Sequence, residues 1–546
     1  MVAAASLPST PPPVGEEAEV PELETITVPL EAPPAAESRR GDVILDIRDL
    51  KTYFYTYDGV VRALDGVSFK LRTGETLGLA GETGCGKSVT AFSVLRLIPD
   101  PPGRVVSGKI LFRGADLLWG LDKEARMRPI KNSVRVKVIR RFRRIKAAAA
   151  RMMAVRGHGI SMIFQEPTQA MNPVFPVYDQ LGEALSIHRG RDIIDQLLAA
   201  TPNAPELLPA IERLAEGVQN GEKLDQLKKH AMEVGEAAHL QSFGTQAFYA
   251  ARSASAANTD ALVHDLKAAA RRFRLNGYQR SMMRYRRLQS VQMDELREAY
   301  MKEMREGQMH RLLEARARRR AFVAKWTHPQ FGIPFLRRRG DKPLRDELFW
   351  EVVGLLEGVQ IANPVQVARC YPFELSGGMI QRVMIAMALS SEPAVLIADE
   401  PTTALDVTIQ AQILELMRDL KERIGTSTLL ITHDLAVLAE VADRICIMYA
   451  GHIVENAPVQ SLFANPLHPY TRGLLASIPR VDQPNKQLES IPGSVPNLIN
   501  PPEGCRFHPR CPYAMPICSE TRPPMTEEGG GHQVACYLYH GPNVVE

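Results

Sequence analysis

The eight residues GETGCGKS at 81–88 constrain this chain more than any others. They follow the apolar run TLGLA and fit the spacing G-x-x-x-x-G-K-[ST], which needs a strand before it and a helix after it. In such a turn the glycines let backbone N–H groups face inward, and the helix that follows adds the positive end of its dipole. A chain of phosphates is what this cradle holds. Lys87 is placed to reach the terminal phosphates and Ser88 to ligate Mg²⁺. Cys85 is a spacer inside the loop, and we assign it no redox role.

A second stretch, AVLIADEP at 394–401, ends an apolar run in two acids, as a buried parallel strand does when it delivers carboxylates at its C-terminal edge. Asp399 is then expected to hold Mg²⁺, through water, and Glu400 to polarise an attacking water. On its own this stretch would also suit a solvated acidic turn. It stands in order with LSGGM at 375–379, a Ser-Gly-Gly turn before a helix expected from about Ile380, then ALD at 404–406 and ITHD at 431–434.

Composition limits the setting. At 546 residues and 45% hydrophobic content the chain has room for several domains of roughly 150 residues, each with a core. No run of about 18 apolar residues occurs, and the N-terminus lacks a basic segment followed by an apolar one. The expectation is a reducing compartment, where stable disulfides are unusual.

The texture changes along the chain. Residues 1–40, rich in Pro, Ala and Glu, read as a disordered tail. Residues 41–130 alternate like strands, with two strands meeting at Thr73–Gly74 and a helix predicted from Gly86 through Ile98. The segment 131–156 holds ten basic residues and no acid, with Ile139, Phe142 and Ile145 at helical spacing, and is expected to be a basic amphipathic helix. After a compact stretch at 157–189, residues 190–343 read as a second helical insertion, with 16 Lys/Arg against 6 Asp/Glu between Arg271 and Lys325. Compact α/β texture returns over 344–477, and a Pro-rich, Cys-rich extension fills 478–546. For both basic segments the plain expectation is a solvated helical decoration. A sharper one is contact with anionic lipid headgroups, worth up to about 1 kcal/mol per basic residue.

This order of elements resembles the nucleotide-binding subunit of an ABC (ATP-binding cassette) transporter. The resemblance implies a RecA-like mixed sheet with flanking helices, an antiparallel β subdomain and a helical subdomain. It places Gln165 of MIFQEP in the Q-loop, also near the Mg²⁺, and His433 as the switch histidine. It also implies that two such subunits close head to tail around two ATP molecules. Each site would take Gly81, Glu82, Thr83, Gly84, Cys85, Gly86, Lys87, Ser88, Gln165, Asp399, Glu400 and His433 from one chain, and Ser376, Gly377 and Gly378 from the other. Asp406 joins the nucleotide set through its ALD motif, and an aromatic, Phe54, would stack on adenine amid Tyr53, Tyr55 and Tyr57. Met379 stands where many relatives have Gln, with little loss expected.

The wording of 164–185, 371–414, 448–475 and the closing CRFHPRCP…C…HQVAC is similar to the dipeptide/oligopeptide-importer ATPases. That similarity covers roughly 43–130, 157–189 and 344–540, leaving out the tail and both basic segments. It implies two transmembrane permease subunits, an extracytoplasmic solute-binding protein, a homologous ATPase subunit (a heterodimer rather than a homodimer) and a peripheral place on the cytoplasmic face of the inner membrane. The alternative is a DNA-acting ABC-type ATPase, with the basic insertions on phosphodiester backbone and metal-bound cysteines. Against nucleic acid stand the single ATPase unit, the absence of sustained heptads and the importer-like wording.

Four of the seven cysteines, Cys505, Cys511, Cys518 and Cys536, have the spacing C-x5-C-x6-C-x17-C. Structural zinc sites usually contain close C-x2–4-C pairs, whereas four scattered thiolates can hold a [4Fe–4S] cluster. The importer-family tail points the same way, with zinc and free thiols as the other possibilities. Cys370 and Cys446 are expected to be core residues.

Overall fold

The computed structural model describes residues 41–129, 136–306, 340–403, 406–478 and 491–539. The expected disordered tail at 1–40 lies outside them, as do Ala404 and Leu405 of the ALD motif.

Two sheets carry the half that holds GETGCGKS. The antiparallel sheet joins β1 (Val43–Tyr55), β2 (Val60–Arg72), β4 (Gly103–Phe112) and β5 (Ala115–Asp116) in the order β2-β1-β4-β5. The larger sheet is built on β3 (Thr76–Ala80), β8 (Ile160–Ile163), β9 (Val395–Asp399), β10 (Ser427–Ile431), β11 (Arg444–Tyr449) and β12 (His452–Pro458). With β13 (Thr526–Glu527) and β14 (Gln533–Val534) its order is β13-β14-β12-β11-β3-β10-β9-β8, with β11, β3, β10, β9 and β8 parallel. Strands β3, β9 and β10 are buried at every position, which is why they read as unbroken apolar runs rather than alternating ones. Residues 73–74 do turn the chain as expected, but the strands on either side belong to different sheets.

Gly86, at φ 108, opens the helix Lys87–Val94. The helix stops four residues short of the predicted Ile98. Arg156 explains the stop: its guanidinium donates to the carbonyls of Leu95 (2.8 and 3.0 Å) and Arg96 (3.0 Å), satisfying orphan acceptors at the helix end. Pro99 then prevents continuation. The helix is tied to the antiparallel sheet by a buried hydrogen bond of 2.9 Å between Ser93 Oγ and Thr52 Oγ1.

The expected basic helix over 131–156 is corrected. Its first described part is strand β7 (Val136–Arg140), paired antiparallel with β6 (Ala125–Pro129), so the hairpin begins inside what the sequence assigned to the core. Among its described residues Phe142–Met152 is helical; the helix buries Ala148 and Met152, and Arg143, Arg144 and Lys146 on it and Arg141 just before it are exposed.

The long insertion is helical, as expected, over 190–199, 207–219, 224–237, 241–253, 259–272 and 277–306, but it is not a solvated decoration. Ile193, Leu214, Val234, Phe243 and Leu266 share one apolar core with Val352, Ile380 and Val383, so the insertion and the helical subdomain pack as one body. The thirty-residue helix Gly277–Glu306 reaches further, burying Met304 in the second core among the strands of the antiparallel sheet. Part of its basic charge is internally matched: Arg286 pairs with Asp341 at 2.5 Å, and Arg287 with Asp195. The helix opened by LSGGM, termed the signature helix below, is Gly377–Leu389, capped by Ser376, three residues earlier than expected.

The Cys-rich extension is stitched onto the large sheet. Its strands β13 (Thr526–Glu527) and β14 (Gln533–Val534) extend the sheet edge at β12. Fully buried Glu455 of β12 accepts from His532 at 2.7 Å and from the backbone N–H groups of Leu467 and His468 at 2.7 and 3.0 Å. A buried carboxylate is tolerated only with such partners.

Candidate functional site

The parallel strands deliver the site residues to one edge. Ile431 sits beside Leu79 on one side and Asp399 on the other, so the segments leaving β3, β9 and β10 emerge together. Strand β8 joins them, with Ile163 beside Ala398, and brings Gln165 two residues later. Ligands of open α/β sheets bind at this carboxyl edge.

Gly81 must be glycine: at φ 152, an added Cβ would lie 2.1 Å from the Met448 carbonyl oxygen. Lys87 is 5% exposed and its Nζ donates to the carbonyls of Gly81 (2.8 Å) and Glu82 (3.2 Å), folded back over the loop it serves. Ser88 donates to Asp399 Oδ1 at 3.0 Å. Burial pushes the Asp399 carboxyl up to about 6, against the pull of the Ser88 hydroxyl and with a further push from the Glu400 charge. A buried carboxylate beside a hydroxyl is a donor set that fits a hard divalent cation. Cys85 is buried, and burial pushes its thiol up to about 11, which keeps it protonated and inert.

Glu400 sits in left-handed backbone, φ 47, rare for a non-glycine residue and held there by its N–H donating to the Ile431 carbonyl at 2.9 Å. Three side chains fix its carboxylate: Gln165 Nε2 (2.9 Å) and Thr403 Oγ1 (3.0 Å) on Oε2, and His433 Nδ1 (3.2 Å) on Oε1. Burial alone would raise this carboxyl; the hydrogen bonds from His433 and Thr403 outweigh it and hold the group below its ordinary value. Gln165, Glu400, His433, Asp399, Ser88 and Lys87 are therefore brought together. Thr403 is an addition that sequence reasoning missed, although the polar pair after ADEP was there to be weighed.

Ser376 and Gly377 are brought elsewhere, at the exposed N-terminus of the signature helix, where Ser376 Oγ accepts from the Met379 N–H at 3.4 Å. That helix is linked to the strand β9 exit by Gln381 Nε2 donating to the Pro401 carbonyl at 2.5 Å. Gly378 faces Ile409 on the following helix, Val407–Ile424, which Asp406 caps through its side chain to the Ile409 N–H at 2.9 Å. Phe54 is half-buried against Gly103 and Ile98. Tyr53 is occupied by a 2.9 Å bond to Asp65, while Tyr55 and Tyr57 are exposed.

All seven cysteines are free thiols. Cys446 is fully buried as expected, whereas Cys370 is half-exposed beside a surface groove, correcting its assignment to the core. Cys505, Cys511, Cys518 and Cys536 line one enclosed pocket with Phe507, Met515 and His508. Burial pushes the Cys505 and Cys536 thiols up to about 11, and neighbouring thiols add to the push. Among the described residues no three His, Cys, Asp or Glu converge on a single-ion position.

The sequence matches a family model described as "ABC transporter" over residues 64–403 and another described as "Oligopeptide/dipeptide transporter, C-terminal region" over 454–518. Among curated proteins it is 32% identical to the dipeptide transport ATP-binding protein DppD of Bacillus subtilis, covering 91% of this chain and 94% of that one. It is also 32% identical to the oligopeptide transport ATP-binding protein AppD (91% and 97% covered) and 33% identical to OppD (91% and 89%) of the same organism.

Proposed function

The chain belongs to the ABC transporter ATP-binding subunits, in the branch that carries the oligopeptide/dipeptide transporter C-terminal region, and from that premise we infer that it is the ATP-hydrolysing subunit of a peptide importer. It works with transmembrane permease subunits and a solute-binding protein. The DNA-acting alternative is set aside, since both matched families are transporters.

The observation that carries the hydrolytic reading is the clamp on Glu400 beside the Ser88–Asp399 pair. In this reading the N–H groups of 81–88 and Lys87 hold the β- and γ-phosphates, and Glu400 orients a water in line with the γ-phosphorus. His433 and Gln165 hold Glu400 in place and carry the state of the γ-phosphate outward. Ser88 and Asp399 would hold a Mg²⁺ ion, which would supply charge neutralisation for the phosphates. Ser376, Gly377, Gly378 and Asp406 complete the site of a second ATPase subunit, a homologue rather than a copy, and Phe54 stacks on adenine. ATP-driven closure of the pair shifts the permeases between two arrangements, and hydrolysis resets them.

Among the described residues no helix is long and apolar enough to cross a membrane. The reading places the chain peripherally, on the cytoplasmic face, through its permeases. The exposed Arg141, Arg143, Arg144 and Lys146 support an additional contact with anionic headgroups. Cells that express the chain with its permeases and binding protein take up labelled peptide, and cells lacking only this chain do not. Undiminished uptake without it would refute the assignment.

We propose further that the four-thiol pocket holds a [4Fe–4S] cluster with a structural role. Anaerobically purified protein then carries about four irons and four acid-labile sulfides per chain, and Cys511→Ser loses both. Zinc without sulfide would refute this.

A further inference from the structure

The C-terminal extension reaches into the phosphate loop. Arg510, the residue before Cys511, forms a two-pronged pair with Glu82, the second residue of GETGCGKS: Nη1 to Oε2 at 2.7 Å and Nη2 to Oε1 at 3.2 Å. The same guanidinium donates to the carbonyls of Ile491 (3.3 Å) and Pro492 (2.9 Å) and to the Tyr449 hydroxyl (3.2 Å), and it is only 6% exposed. Glu82 is gripped a second time through its backbone, whose N–H donates to the Tyr470 hydroxyl at 2.9 Å. Its carbonyl in turn accepts from Lys87 Nζ. A continuous path therefore runs from Cys511 in the thiol pocket, through Arg510 and Glu82, to the lysine that meets the terminal phosphates.

Two physical facts give this path consequence. A guanidinium so buried must keep its carboxylate, because breaking such a pair leaves an uncompensated charge. And a carboxylate at the mouth of a phosphate site repels the nucleotide unless a cation holds it. We propose that Arg510 is a positioning residue for nucleotide binding, neutralising and fixing Glu82 so that nucleotide occupancy and the order of the four-cysteine segment are energetically coupled. The proposal rests on the ATPase reading above. Coupling of this kind is reciprocal, so each partner reports on the other.

The test uses the full chain and the variants R510Q, R510K, E82Q and R510Q/E82Q, with MgADP and MgATP as probes. The expected result for R510Q is nucleotide Kd and KM raised about tenfold, within the usual range of coupling between sites, with kcat within about twofold. R510K recovers part of the loss. The double variant binds no more weakly than R510Q alone, since both changes cut one link. Hydrogen exchange over residues 505–520 slows on MgADP binding in the wild type and does not in R510Q. Wild-type Kd and KM in R510Q would overturn the proposal, as would losses that multiply in the double variant. So would a fall in kcat, affinity and Tm together in R510Q while E82Q behaves as wild type, since the arginine would then be structural only. Absence of ATP hydrolysis in the wild type would instead overturn the functional reading, and the coupling with it.

Discussion

Glu400→Gln lowers steady-state ATP hydrolysis by roughly 10²–10⁴-fold, the usual contribution of a positioned general base, while MgATP binding stays within about twofold. Glutamine matches glutamate in size and keeps a carbonyl oxygen for Thr403 and Gln165 to approach, so the left-handed backbone at this position and its N–H bond to Ile431 are undisturbed. What is lost is the negative charge. The hydrogen bonds from His433 and Thr403 hold Glu400 below the usual carboxylate value, so the native group is ionised at neutral pH and able to polarise water. In the proposed reading nucleotide binding rests on different groups, the loop 81–88 and Lys87, whose Nζ bonds the Gly81 and Glu82 carbonyls and has no contact with Glu400 among those described. Phosphate release and nucleotide titration on the same preparation check this. Retention of more than a tenth of wild-type turnover would remove Glu400 from the role of base.

Why this site was legible in the sequence, and other features were not, follows from the range over which each is specified. The phosphate loop is local: a buried strand, glycines that must take positive φ, a lysine and a hydroxyl within eight residues. Asp399 and Glu400 announce themselves by ending an apolar run, because a parallel strand covered on both faces has no other place for acids. The segment 131–156 misled because Ile139, Phe142 and Ile145 have helical spacing, yet residues 136–140 are claimed by antiparallel pairing with 125–129. A pairing partner upstream overrides the local period. The burial of the long insertion was hidden for a related reason: its basic count suggested solvent, but its apolar stripes meet Val352 and Val383 much later in the chain. Arg510 is the extreme case. It lies 428 residues from Glu82, and nothing near it in HPRC marks it as different from any arginine beside a cysteine.

The other large effect concerns residues that lie apart from the site they are proposed to complete. Ser376→Arg leaves nucleotide binding by the isolated chain unchanged within about twofold, but lowers hydrolysis by the assembled transporter at least about a hundredfold. A lost oxyanion-type contact alone costs about 10²–10³. The reasoning is geometric. Ser376 and Gly377 are exposed at the free N-terminus of a helix whose first N–H groups and dipole favour an anion. Among the described residues the Ser376 hydroxyl has only the long 3.4 Å bond to the Met379 N–H, weak enough to yield to a phosphate oxygen. A bulky cation there blocks approach of a second subunit without touching Lys87, Ser88 or Glu400. The fold tolerates it, because the position is solvent-facing. Comparing S376R with E400Q in the same assembly then separates the two sites. If this chain's signature serves its partner's nucleotide, S376R disables that site and E400Q the one built on this chain's own loop. Equal losses of turnover mean both sites are required. Full turnover in S376R would show that the transporter's hydrolysis does not pass through the site this helix completes.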